Sequence, residues 1–287
     1  MWEKGQIFGV QFGGTSLYKM VPWAFGIYEF QLPYLDRELA EMCEEFGKVY
    51  GEQFFRNSPQ LMQVIPIERE IEAQHEALPY ERVSSIIGNG QSFLSNDCIC
   101  KKEQGLMEKS CTRPIDVCLA IAPVPGVFEN PKYGRNISKE EAFKLLNKCE
   151  ENGLVHLTWN VKNGHFFICN CCGCCCGVLR SINELGVPAS KVVNSYYFAE
   201  IDPEICASCG VCSDERCQVK AIEEGEDAYR VIKDRCIGCG LCVTTCPSGA
   251  MHLVRKKPEE IVAPPEDEMS WFDARAKVRG VDISAYK

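Results

Sequence analysis

No apolar run in this 287-residue chain approaches the roughly 18–20 residues needed to cross a bilayer. The N-terminus, MWEKGQIFGVQFGG, lacks a charged segment followed by an apolar one, and no twin-arginine pair occurs. Together these absences lead us to expect a cytoplasmic protein with no membrane insertion. No GxGxxG follows a strand and no P-loop is present, so nothing points to a nucleotide or dinucleotide site. Positive charge is also short. The 31 Lys and Arg against 40 Asp and Glu leave a net charge of −9, which argues against unspecific nucleic-acid binding.

What the chain has in excess is cysteine, 20 residues in an otherwise ordinary globular composition. With no sign of an oxidising compartment, these are expected to be thiolates on metal. The stretch Cys206–Cys246 has the most specific spacing. It contains Cys206-x2-Cys209-x2-Cys212-x4-Cys217 and then Cys236-x2-Cys239-x2-Cys242-x3-Cys246-Pro247. A cubane of four irons can take three thiolates from one tight loop and needs the fourth from elsewhere, so two such triplets suit two [4Fe–4S] clusters. Zinc favours paired C-x2-C knuckles over triplets, and a disulfide framework needs an oxidising compartment.

Over residues 197–256 the chain resembles the bacterial dicluster ferredoxin domain. The second half, CIGCGLCVTTCPSGA, matches that family's motif fully. The first half departs from it, with four residues between Cys212 and Cys217 instead of three, and Gln218 where the motif has Pro. The resemblance implies crossed sharing, with Cys206, Cys209, Cys212 and Cys246 on one cluster and Cys236, Cys239, Cys242 and Cys217 on the other. It also implies two short βαβ units. Apolar runs at Tyr197–Ile201, Val219–Ile222, Tyr229–Ile232 and Met251–Val254 permit them.

Upstream, residues 1–34 are aromatic-rich, punctuated by Gly and Pro, and predict loops and short strands. Asp36 opens a helix through about residue 56, with Leu39, Met42, Cys43, Phe46, Val49, Tyr50 and Phe54 on one apolar face and Cys43 as a core residue. His75 falls in a polar run and predicts a solvated helix position. The next cysteines are Cys98, Cys100, Cys111 and Cys118, sufficient for one tetrahedral site, either a third iron–sulfur cluster or a structural zinc. On an extended strand Cys98 and Cys100 would share a face.

Ser138-x-x-Glu141 is a capping box for a helix that Gly153 closes. A hairpin follows, Val155–Trp159 and His165–Cys169 around Asn163-Gly164. Helix plus hairpin suggests a winged-helix-like unit and raises a DNA-binding regulator as an alternative. The helix has no basic face, however, and the hairpin offers only Lys162 and His165. The hairpin leads into CNCCGCCCG, with Cys169, Cys171, Cys172, Cys174, Cys175 and Cys176. This density suits a fourth cluster, shared or not with the Cys98–Cys118 segment, or a multi-thiolate site for Zn or Cu(I). Ten thiols exceed the eight that two cubanes need, so two are spare or one cluster is unusual. Cys149 is expected as a core thiol, and His156 as a packed residue or a cluster neighbour.

The CxC…C…C segment, GLVHLTWN and ICNCCGCCCG ahead of a dicluster ferredoxin resemble a family of uncharacterised multi-cluster iron–sulfur proteins of anaerobes. That resemblance implies iron–sulfur electron transfer without naming a substrate. We therefore expect an α+β chain in three parts. Residues 1–196 form an N-terminal α/β cysteine-rich domain with one or two metal clusters. Residues 197–256 form a ferredoxin-like βαββαβ dicluster domain, and 257–287 an extended tail that docks on a partner or on its own domain. The expected function is relay of single electrons between a cytoplasmic redox partner and an oxidoreductase. The acidic surface suits a basic docking patch, or serves solubility alone. The alternatives are an enzyme binding substrate at an unusual N-terminal cluster and an iron–sulfur redox sensor.

Overall fold

In the computed structural model, residues 1–12, 14–68, 78, 81–109, 111–129, 131 and 133–284 are described; His75 lies outside them. The chain opens with an antiparallel hairpin, Phe8–Phe12 (β1) and Thr15–Lys19 (β2), and a single helical turn Tyr28–Phe30 (α1). Asp36 then caps Arg37–Phe54 (α2), its carboxylate accepting from the Leu39 N–H at 2.8 Å. The apolar face of α2 is only half used, because Cys43 is buried while Met42, Phe46 and Val49 stay exposed.

Met62–Val64 (β3), helix Val83–Asn89 (α3) and Ser92–Asn96 (β4) come next, then Ile99–Leu106 (α4), Cys118–Ala122 (β5) and Arg135–Ile137 (β6). Lys139–Glu151 (α5) begins at the expected capping box, with Ser138 and Glu141 bonded in both directions at 3.1 and 2.8 Å. Gly153 ends it at φ +68°, a conformation that costs glycine little. Val155–Trp159 (β7) and Phe167–Cys171 (β8) form the hairpin, two residues later on its second strand than the sequence suggests. Helices Gly177–Asn183 (α6) and Ala189–Val192 (α7) and strand Val193–Asn194 (β9) complete this part.

Seven of these strands make one sheet in the order β6-β4-β5-β8-β7-β3-β9, antiparallel except for the β3–β9 pair. The helix–hairpin unit is therefore not an outlying wing. β7 and β8 are interior strands, and all five residues of β7 are buried. The alternation of Val155, Leu157 and Trp159 on one side with His156 and Thr158 on the other reads locally as a half-exposed hairpin. His156 and Thr158 are instead covered and hydrogen-bonded, to Asn170 and to the Phe167 carbonyl.

Tyr197–Ile201 (β10) pairs antiparallel with Met251–Arg255 (β13), and Ile222–Glu223 (β11) with Arg230–Val231 (β12). A helical turn, Cys212–Arg216, separates β10 from β11. The main apolar core runs through both cysteine regions, uniting Leu157, Trp159, Leu179 and Ile182 with Val219, Ala221, Ile237 and Leu241. The tail returns to the chain's own surface. Glu268–Arg279 (α8) buries Trp271, whose indole N–H donates to the Gln60 carbonyl at 2.8 Å, and lays Arg275 over the Phe54 ring at 3.9 Å. Helices and sheets are thus mixed, an α+β chain. Among the described residues, no helix is long and apolar enough to cross a membrane.

Candidate metal centres

In the Cys206–Cys246 stretch, backbone turns aim the thiols. Ser208 and Gly210 (φ 49° and 77°) bend the first triplet, and Gly238 and Gly240 (φ 61° and 84°) the second. A Cβ on Gly238 would lie 2.1 Å from the Tyr197 carbonyl, so this loop lies against the backbone at the start of β10. Cys212 lies near enough to Cys209 and Cys246 to feel their charge. Cys239 and Cys242 likewise feel Cys236 and the irregularly spaced Cys217, and Cys242 also feels Cys212. Cys206 lies half-buried on the first loop. Backbone N–H groups donate to sulfur at Cys217 (from Ala221, 3.1 Å) and Cys236 (from Ala199, 3.3 Å). Burial raises the Cys236 and Cys242 thiols and takes Cys239 to about 12. Thiols that receive backbone N–H groups, as Cys217 and Cys236 do, fit [4Fe–4S] groups, whose potentials such hydrogen bonds tune.

The ten upstream thiols do not divide by segment. Cys111 joins Cys172, Cys174 and Cys175, and these four Sγ atoms all lie within 4.8 Å of one another. Contacts of 3.9 Å (Cys111–Cys172), 3.7 Å (Cys175–Cys111) and 3.8 Å (Cys174–Cys175) hold the group together. The Cys172 thiol is lowered to about 5, first by its hydrogen bond from Cys175, with burial opposing and the nearby Lys101 ammonium assisting. Lys101 is itself buried and donates to the Pro114 carbonyl at 2.7 Å. Nothing in the sequence marks it out from Lys102 beside it. Four thiols at this spacing fit a tetrahedral metal or a cubane equally in donor type.

The other six, Cys98, Cys100, Cys118, Cys169, Cys171 and Cys176, form a ring on one cavity, which Cys175 of the four-thiol group also lines. Neighbouring thiols in it perturb one another's protonation: Cys98 and Cys100, Cys100 and Cys176, Cys176 and Cys171, Cys171 and Cys169, and Cys169 and Cys118. Cys118 in turn acts on Cys98. Sheet register explains one wall: the β5–β8 pairing Leu119↔Ile168 sets Cys118 opposite Cys169, and Cys171 follows two residues on, on the same face. The other wall comes from helix starts. Cys98 caps α4, Cys100 lies in its first turn, and Cys176 caps α6. Cys98 and Cys100 are thus not on a strand, because KKEQGLM extends the helix from Ile99. The Cys98–Cys118 segment supplies three thiols to this ring and one to the four-thiol group, so it is not a site by itself.

Beside Cys100, Tyr28 donates to Glu103 at 2.5 Å and also hydrogen-bonds the thiol. Burial pushes Glu103 up to about 7 and Glu29 to about 8, with the Cys100 charge adding to both. None of these three stands out in the sequence. Cys43 and Cys149 are core thiols, raised by burial to about 11 and about 12. The His156 ring meets Asn170 Oδ1 at 2.6 Å and is kept neutral by burial.

The two regions meet at the motif's irregularity. Gly173 N–H donates to Gln218 Oε1 at 3.0 Å, and Asn183 Nδ2 donates to the Gln218 carbonyl at 2.9 Å. A Cβ on Gly173 would lie 2.0 Å from that carbonyl. The buried Arg216 guanidinium donates to the Glu150 and Glu151 carbonyls at the end of α5, at 2.8 and 3.0 Å, and to the Leu241 carbonyl at 3.3 Å. On the far side, Arg255 of β13 forks onto the fully buried Glu81 at 2.7 and 3.0 Å.

Thiol sets of this kind suit iron–sulfur clusters, and comparison with known proteins identifies the chain as an iron–sulfur protein. Residues 229–252 match the 4Fe-4S binding domain family. An uncharacterized ferredoxin of Methanocaldococcus jannaschii is 34% identical over 91 residues, 31% of this chain and 52% of that protein. A subunit of tetrathionate reductase from Archaeoglobus fulgidus is 29% identical over 121 residues, 38% of this chain and 58% of the relative. A ferredoxin of Alicyclobacillus acidocaldarius is 41% identical over 59 residues, 21% of this chain and 67% of its own length. The chain covers only a little over half the length of the first two of these relatives. It belongs to the ferredoxin-type iron–sulfur proteins.

Proposed function

We propose that this protein relays single electrons from a redox partner through two ferredoxin-type clusters into metal centres held by the upstream thiols. Cys206, Cys209, Cys212 and Cys246 would hold one [4Fe–4S] group, and Cys236, Cys239, Cys242 and Cys217 the other. Residues 197–256 would form the ferredoxin-type βαββαβ module, between an N-terminal domain of 1–196 and a tail of 257–287. The four thiols of Cys111, Cys172, Cys174 and Cys175 would hold a third iron–sulfur group, and the six-thiol ring would be the end of the relay. When bound, such clusters supply one-electron storage at thiolate-ligated iron. The chain's own share is to orient the thiols, donate N–H bonds to sulfur and exclude water.

The observation that supports this most is the Gly173–Gln218 hydrogen bond. Gln218 follows Cys217, and Gly173 lies between Cys172 and Cys174, so one 3.0 Å contact links the ligand loops of two centres. The acidic surface would dock on a basic patch of an oxidoreductase in the cytoplasm, as the likeness to part of a reductase suggests.

Iron, sulfide and zinc per chain after anaerobic purification, followed by rapid-freeze EPR after mixing with a one-electron donor, test the relay. Ferredoxin-type signals should form first and decay as upstream signals grow. Zinc at both upstream sites, or upstream centres that never take electrons from the ferredoxin clusters, would remove the relay and leave the ferredoxin assignment standing.

A second reading is favoured by one feature, a cavity of about 180 Å³ that reaches the ring thiols and is flanked by Glu29 and Glu103. It is an enzyme binding a small substrate beside the ring. A change in the upstream EPR signals on adding thiols, disulfides or CoA esters would support it, and silence across all three classes would end it.

A further inference from the structure

We infer that Cys98, Cys100, Cys118, Cys169, Cys171 and Cys176 jointly hold one iron–sulfur group of more than four irons. This rests on the iron–sulfur reading above and deepens it at the upstream site. The first support is arrangement. Among the described residues no four of these six thiols bring their Sγ atoms within 4.8 Å of one another, so none of them makes a compact four-ligand set. The neighbouring group of Cys111, Cys172, Cys174 and Cys175 shows what a four-ligand site looks like in this same chain, with every Sγ within 4.8 Å of the others.

The second support is space. All six thiols line the same cavity of about 180 Å³, together with Cys175 of the four-thiol group, and this is several times the roughly 30 Å³ that a water molecule occupies in the liquid. They are thus set along an open space, not packed only on one another. The third is the way the walls are fixed. Cys118, Cys169 and Cys171 project from one face of interior strands, and Cys98, Cys100 and Cys176 come from the starts of two helices, so the two halves of the ring cannot approach without breaking the sheet or the helices. A single zinc or a single cubane takes four thiolates. Either would leave two thiols of the ring protonated and without metal. A group with more irons uses all six.

Two measurements test this. The first is iron, sulfide and zinc per unvaried full-length chain after anaerobic purification and reconstitution with iron and sulfide. Three four-iron sites account for about 12 irons, and a cubane in the ring would bring the total to about 16. The inference expects more than about 16, or more than about 12 when one zinc fills the four-thiol group. Totals at or below these values overturn it. The second is the variant Cys118→Ser with Cys169→Ser, which removes facing ligands. It should lose more than four irons at once, with ring-specific Mössbauer components vanishing and the reduced ferredoxin EPR signals kept. Loss of four or fewer irons overturns the inference. If the variant does not fold, the count on the unvaried chain decides alone. Absence of ferredoxin EPR signals in the unvaried chain would instead count against the electron-transfer reading. Intact ferredoxin signals with a cubane or zinc in the ring would sink only the larger cluster.

Discussion

In residues 206–246 almost every thiol sits on a loop or turn next to its own group, and left-handed residues at Ser208, Gly210, Gly238 and Gly240 do the aiming. Upstream, the thiols come from strand faces and helix starts, and residues far apart in sequence, such as Cys111 and Cys172, share a group. The first arrangement is local, so spacing encodes it and it survives transplantation among proteins. The second is built by the sheet, and spacing says little about it. The regions differ accordingly in what should break them.

The largest effect expected is loss of one centre without the other. Cys172→Ala should lower iron by about four and sulfide to match, because one cubane's worth of ligands is broken. The reduced ferredoxin signals should persist. Concerted loss of all iron would mean that the two regions fold as one metal-dependent unit, and would erase the contrast.

This contrast also explains what could be read from the residues alone. The Ser138–Glu141 capping box and the Asp36 start are local signals, and they appear as expected. The seven-stranded sheet was not legible. β3 and β4 are buried on both faces, which removes the alternation that marks a strand, and the edge strand β6 has only three residues. The β7–β8 hairpin resembled a wing because β7 alternates like a half-exposed strand although both its faces are covered. With the sheet invisible, Cys118 could not be seen to lie opposite Cys169, nor could Cys111 be assigned to the CNCCGCCC loop. The irregular Cys217–Gln218 was visible, but its purpose was not, since its partner Gly173 is 45 residues away.

A smaller effect separates mechanical union from electronic union. Glu81→Ala strips the carboxylate from Arg255, which clamps β13 to the upstream part. With Glu81 fully buried and Arg255 about one-fifth exposed, the loss should be about 3 kcal/mol of stability, at the low end for a broken buried pair. Thermal unfolding should shift down while the iron count and EPR spectra remain those of the parent. A change in cluster signals would show that this clamp also shapes a centre.

Gly173→Ala should cost less, about 1–3 kcal/mol, because the added methyl meets the Gln218 carbonyl and the loop must move. Its signature is preferential release of iron from the four-thiol group on mild chelation. Equal release from the ferredoxin clusters would show that the strain spreads to both sides of the contact.

The smallest and most discriminating change is Gln218→Pro, which restores the residue of the ferredoxin motif. Cys217 has φ −74° and ψ 101°, extended and close to the conformation that a following proline requires, so the backbone before it needs only a small adjustment. The carbonyl that receives Asn183 is retained. What disappears is Oε1, the acceptor for Gly173 N–H, and Nε2, which donates to the Arg216 carbonyl at 3.3 Å; the unsatisfied, partly buried Gly173 donor costs about 1–3 kcal/mol. The ferredoxin clusters should keep their iron and their spectra, since the variant is closer to the motif than the parent. Transfer from them to the upstream centres should slow, measured as delayed growth of the upstream EPR signals after rapid mixing. If stability falls and transfer does not, the Gln218–Gly173 contact only fastens the two regions together, and electrons cross elsewhere. Slowed transfer at unchanged iron content would give the motif's departure a reason: the residue that makes this half a poorer ferredoxin motif is the one that joins it to the second set of thiols.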